Sequence, residues 1–125
     1  MPILNHTNLP VAHVAPLRDF FVRHFDFVPI HEPDGKPMAV LRGHDGFILN
    51  VMQQRSEDIG QFPHDFHVGF LLDNEAAVRA KHAELVAAGV EAGEVEAMMR
   101  RGISSVTFYA FAPNHIMVEV SWYHL

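Results

Sequence analysis

Phe66-His67-Val68-Gly69-Phe70-Leu71-Leu72-Asp73 decides how this chain folds. The stretch alternates apolar residues with others, carries a histidine near its start, and runs directly into a helix-patterned segment, 75–88, that closes on Gly89. An echo stands near the N-terminus. Ile3-Leu4-Asn5-His6-Thr7-Asn8-Leu9 carries another early histidine and leads into a helix-patterned run over 15–25. A strand with an early histidine followed by a helix thus occurs twice, and an internal repeat constrains topology more than any single propensity does.

Working outward from the two copies, Pro10 should stop the first strand's ladder, and Pro16 suits the first turn of the helix that follows. Leu17, Phe20, Phe21 and His24 recur at helical spacing and form the expected buried face. Short strands are predicted over 28–31, 38–42 and 47–53. The last two join through His44-Asp45-Gly46, where Asp-Gly is hairpin chemistry. The segment 55–65 is polar and aperiodic and contains Gly60 and Pro63, so it reads as a linker and a candidate mobile cap. Beyond it, Asn74 is the expected N-cap of the second helix, with Val78, His82, Leu85 and Val86 as its buried stripe. Strands over 94–98, 103–111 and 116–123 complete the second copy, the last pair separated by Ala112-Pro113-Asn114-His115.

The totals fit one domain, 1–125, with halves of about 1–54 and 66–125 joined by the loop 55–65. A chain of 125 residues, 49% hydrophobic and 19% charged, can bury about two-thirds of its unfolded surface. Fifteen acidic against nine basic side chains give a net charge of −6, which lacks the cationic footprint of a nucleic-acid binder. No apolar run approaches the ~18 residues of a membrane span, and a signal-peptide pattern is missing, so the cytoplasm is the expected compartment. Cysteine is absent. Thiolate catalysis and Cys-based metal sites are thereby excluded, and any metal must use His, carboxylate or amide ligands. Ten histidines are the compositional oddity.

Candidate chemistry concentrates on the strands. In the last one Ile116, Val118, Val120 and Trp122 form a complete apolar face, so Glu119 points the other way with Met117 and Ser121. Such a carboxylate is either a solvent-facing residue of a two-sided strand or a metal ligand. His67 likewise opposes Phe66, Val68 and Phe70, and Asn50 lies with Ile48 and Met52 on one face of its strand. Taken singly, each histidine is more often a core or surface residue than a ligand. The combination of His6, His67 and Glu119 is what raises the metal reading.

The layout resembles the vicinal oxygen chelate superfamily, which includes glyoxalase I, fosfomycin-modifying transferases, extradiol dioxygenases and bleomycin-resistance proteins. The likeness spans essentially the whole chain. It rests on the paired strand–helix openings, on His67-Val68-Gly69-Phe70 running into an Ala-rich helix closed by Ala88-Gly89-Val90, and on Val106 through Glu119. There the family's strand, Asp-Pro-Asp-Gly-type turn and Glu-bearing strand is matched except in the turn, which reads Ala112-Pro113-Asn114-His115.

The resemblance implies an α+β fold of two βαβββ modules, curved sheets around a cleft, paired across a homodimer. It implies His6, His67 and Glu119 as ligands of a divalent metal, with His6 of one chain joining His67 and Glu119 of its partner. Glyoxalase I has a fourth ligand, usually Glu, where this chain has Asn50, whose amide offers only a neutral oxygen. Two imidazoles and one carboxylate leave coordination positions open and suit Fe, Mn, Zn or Ni. The expected function is a metal-dependent lyase, isomerase or dioxygenase that binds a small oxygen-rich substrate by bidentate chelation. The alternative is a metal-free drug-sequestering protein resembling bleomycin-resistance proteins. Asn50, Met52, Arg101 and Tyr109 are the expected substrate contacts, and Glu119 and His64 the expected catalytic groups, His64 as a general base.

Overall fold

A computed structural model describes residues 1–58, 60 and 62–124, and divides the chain into two compact units, 1–61 and 62–125. The first unit runs β1 (His6–Val11), α1 (Val14–Phe25), β2 (Val28–His31), β3 (Met38–Arg42) and β4 (Ile48–Gln53). The second runs β5 (His67–Leu71), α2 (Glu75–Ala87), β6 (Glu96–Arg100), β7 (Ile103–Ala112) and β8 (Ile116–His124). Each is the predicted βαβββ module with one open four-stranded mixed sheet, ordered β1-β4-β3-β2 in one and β5-β8-β7-β6 in the other. The first strand of each module pairs in parallel with the last, and the remaining pairs are antiparallel. The predicted linker 55–65 contains the boundary between the units.

One face of each sheet is covered by its helix. In the first unit Leu9, Val11, Ala39, Leu41, Leu49 and Val51 are buried, and α1 packs on β3 and β4 through buried Leu17, Phe20 and Phe21. In the second, α2 packs on β7 and β8, with Val78 and Leu85 fully buried beside Phe108, Ala110, Val118 and Val120. Burying one such Leu or Phe side chain contributes about 1.5–3 kcal/mol. Because each strand alternates, the opposite face of each sheet carries every second residue, and these include His6, Asn8 and Asn50, and Tyr109 and Glu119.

Local chemistry sets the element ends. Asn74 caps α2 by accepting the Ala77 N–H on its side-chain oxygen at 2.8 Å, as predicted. Gly89, at φ 81°, ends it. The β6–β7 hairpin turns on Arg101 and Gly102, both at positive φ (52° and 78°), the pattern of a two-residue type I′ loop.

Several expectations need correction. The first strand begins at His6 and continues through Pro10, leaving Ile3 and Leu4 exposed outside it. Pro10 is tolerated because β1 is an edge strand and needs no donor on its open side. The opening stretch is a strand only over His67–Leu71. The strand expected over 94–98 is Glu96–Arg100, and all five of its residues are exposed, so no burial pattern marks its ends. Val86 is 51% exposed and lies off the buried stripe of α2.

Candidate functional site

The open face of the second sheet gathers the titratable groups. Register places Gly69 opposite Glu119 across β5–β8, and Tyr109 opposite Glu119 across β7–β8. His67 lies two residues before Gly69, so it emerges on the same face. Tyr109 donates its hydroxyl to Glu119 Oε1 at 2.9 Å. Its ring meets the His67 imidazole edge-on, with centroids 6.1 Å apart and planes at 90°. One rung along, Thr107 and Ser121 bond to each other at 2.9 Å. The Tyr109 phenol is pushed above its ordinary value, first by the bond to Glu119, then by burial and by the charges of Glu119 and its neighbours.

His67 is oriented by its own chain. Its Nδ1 lies 3.0 Å from the Asp65 carbonyl oxygen. A carbonyl only accepts, so in the neutral ring the proton sits on Nδ1 and the lone pair on Nε2. That is the arrangement typical of a histidine ligand, whose second nitrogen is tied down by a backbone carbonyl.

The first unit has a matching open face. His6 Nδ1 lies 2.9 Å from Asn5 Oδ1. Asn8 and Asn50 face each other across β1–β4, and Asn50 Nδ2 donates to Asn8 Oδ1 at 2.7 Å. The repeat makes these positions equivalent: Asn8–Asn50 corresponds in register to Gly69–Glu119, and Val40, opposite Asn50, corresponds to Tyr109. Met52 is half-buried two residues beyond Asn50.

The remaining expected residues stand apart. Arg101 is exposed at the tip of the β6–β7 hairpin. From Ile103, where that turn ends, to Tyr109 is about 20 Å of strand. His64 is fully exposed in the loop before β5, where it pairs with Asp65 at 3.1 Å. Within either unit, no three His, Asp or Glu side chains among the described residues lie close enough to hold a metal. The second unit therefore offers two donors, His67 Nε2 and Glu119, whose chemistry fits a divalent cation. His6, the third of the expected set, belongs to the first unit.

Sequence reasoning did not single out Gly69, which faces Glu119 across β5–β8. A β-carbon there would stand 3.4 Å from Glu119 Oε2. An isolated glycine inside a strand signals close approach of another group, and that was the available clue. Asn8, the partner of Asn50, was also missed, because its pairing depends on register.

A cavity of about 560 Å³ also opens in the first unit, beside the start of α1, with His13, Arg18, Glu32 and Lys36 in its wall. It contains none of the expected site residues. Arg18 is already bonded to Asp19 at 2.9 Å and Glu32 at 3.4 Å, and the bond to Asp19 chiefly raises its guanidinium further. This hollow carries charges of both signs, whereas His67 and Glu119 share one open face of the second sheet.

The family model of the glyoxalase/bleomycin resistance protein/dioxygenase superfamily matches residues 3–120. The chain belongs to this superfamily. A possible glyoxalase from Bacillus cereus is 32% identical, with 94% of this chain and 96% of that one covered and a TM-score of 0.75. More distant neighbours share the superfamily fold. They include a genomically encoded fosfomycin resistance protein from Listeria monocytogenes (17% identity, 100% and 96% covered, TM-score 0.78) and a lactoylglutathione lyase from Agrobacterium tumefaciens (16%, 96% and 92%, 0.74). Among curated proteins none matches. Among the described residues no helix of this superfamily member is long and apolar enough to cross a membrane.

Proposed function

We propose that this superfamily member is a metal-dependent enzyme that chelates a small, oxygen-rich substrate, with His67, Glu119 and His6 as the protein ligands. The observation that carries the reading is the His67 tether. Its Nδ1–H is spent on the Asp65 carbonyl, which leaves Nε2 as a fixed lone pair on the face that bears Glu119. A divalent cation of the Fe, Mn, Zn or Ni class, bound by such donors, supplies Lewis acidity to a chelated substrate oxygen.

The rest is done by the chain's own groups. Asp65 keeps the imidazole in the tautomer that can donate its Nε2 lone pair. Glu119 would supply negative charge to the metal, and as the site's carboxylate it is also the proposed acceptor of a proton from a bound substrate. Asn50 Oδ1 remains free to accept a hydrogen bond from substrate because only its Nδ2 is spent on Asn8. Met52 adds apolar surface beside it. His64, as solvated general base, and Arg101, as anion contact, are the most peripheral members of the proposal, since each is exposed on a loop or turn. Homodimerisation, with His6 of one chain joining His67 and Glu119 of another, would assemble the three ligands from separate modules.

Elemental analysis of untagged protein after reconstitution tests the reading. One equivalent of a transition metal per chain is expected, lost in His67→Ala. Wild-type chain that holds no stoichiometric metal refutes it and leaves drug sequestration as the better account of the fold.

A further inference from the structure

The two oxygens of Glu119 stand in different surroundings. Oε1 accepts from the Tyr109 hydroxyl at 2.9 Å. Oε2 points toward β5, where a β-carbon at position 69 would come within 3.4 Å of it. One oxygen is thus held from β7, and the other lies over a strand position kept bare by glycine, on the strand that carries His67.

From this we infer that Tyr109 and Gly69 are positioning residues that make Glu119 a one-oxygen ligand through Oε2. The inference rests on the proposed metal site and names what shapes it. A carboxylate at the end of two methylenes has several rotamers, and fixing one costs side-chain entropy at the moment of binding. The Tyr109 bond fixes it beforehand, since a neutral phenol donating to a carboxylate makes a charge-assisted bond. Gly69 acts sterically. An alanine methyl there would lie at the edge of tight contact with Oε2 and cover the approach between Glu119 and β5.

The repeat supplies an internal comparison. At the equivalent place in the first unit, Asn50 faces Val40 instead of a tyrosine and Asn8 instead of a glycine. A valine cannot donate, and Asn8 fills the space by taking the Asn50 amide as its partner. Of these two equivalent rungs, the one with the carboxylate has a hydroxyl donor on one side and a bare strand on the other, and the one with the amide has neither. Strand pairing itself requires neither residue, because the Val40–Asn50–Asn8 rung forms the same backbone ladder with no tyrosine and no glycine.

The test measures Mn(II) affinity of the full-length chain, from the free Mn(II) resonance in electron paramagnetic resonance, together with the thermal midpoint. Loss of a group that orients a ligand typically weakens metal binding by about 10–100-fold. Tyr109→Phe is expected to weaken Mn(II) by that factor, with the midpoint falling by no more than the loss of one exposed hydrogen bond brings, and Gly69→Ala by a comparable factor. A merely structural tyrosine would lower the midpoint and leave the affinity of the folded protein as it was. If wild type binds Mn(II), Glu119→Gln loses it, and Tyr109→Phe stays within twofold of wild type, the positioning role is overturned and the metal site stands. A wild-type chain that takes up no Mn(II) overturns both together.

Discussion

The turn joining β7 to β8 holds two consecutive residues in the left-handed region, Asn114 at φ 66° and His115 at φ 58°. Asparagine and histidine are both enriched at such φ, yet without the local side-chain hydrogen bond open to an asparagine the Cβ of His115 meets the following carbonyl oxygen at a cost of about 1–2 kcal/mol. Glycine removes that clash while giving the unfolded chain about 0.5–1 kcal/mol of extra freedom. His115→Gly should therefore stabilise the protein by about 0.5–1 kcal/mol. For 125 residues melting together, the unfolding entropy is about 0.26 kcal/mol/K, and the midpoint should rise by about 2–4 °C. If the second unit, 62–125, melts separately, its entropy is about half as large and the shift about twice as great, confined to that transition. Differential scanning calorimetry distinguishes the two cases. His115→Ala is the control, because it removes the imidazole and keeps the positive-φ strain, and it should gain nothing. Equal midpoints for the Gly and Ala variants would refute the reasoning, as would a lower midpoint for His115→Gly.

Two further outcomes follow from named bonds. Asn74→Ala removes the side-chain oxygen that accepts the Ala77 N–H, and the urea midpoint should fall by the equivalent of about 1 kcal/mol at unchanged slope. Tyr109 titrates above its unfolded value of about 10, so its contribution to stability is complete below that pH and is lost as pH rises through the folded value. Urea stability measured from pH 8 to 11 should therefore decline more steeply above pH 10 in wild type than in Tyr109→Phe; parallel declines would refute it.

Much of the fold was legible because each sheet has one face covered by a helix. Covered faces force alternation, and alternation was what marked Leu49 and Val51 against Asn50, and Val118 and Val120 against Glu119. The errors fell where that force is absent. β6 has no buried residue, so nothing in its composition fixes where it starts. Pro10 reads as a stop only if both sides of its strand need donors, and an edge position cannot be recognised before the strand order is known. The site was legible as residue types and not as bonds. Glu119 and His67 could be assigned to their faces from period alone. That Tyr109, and not Thr107 or Phe111, meets Glu119 depends on the β7–β8 register, which the Pro113–His115 turn sets.

The repeat also defines the surroundings of Asn50, the amide that stands where glyoxalase I has its fourth ligand. Asn50 occupies in its module the rung that Glu119 occupies in the other. Each polar group there is held by one hydrogen bond from its own sheet, Asn50 by Asn8 and Glu119 by Tyr109. The partners match the charge. A carboxylate only accepts, so it requires a donor such as the phenol, whereas an amide has both a donor and an acceptor and can pair with a second amide. Replacing Asn50 by Glu would face a new carboxylate with Val40, which has nothing to donate, and with Asn8, whose amide would have to reverse to do so. The two modules thus share a backbone and divide the chemistry, one built around a held carboxylate and the other around a neutral amide pair, and a cation bound by this protein would draw its carboxylate charge from the second module.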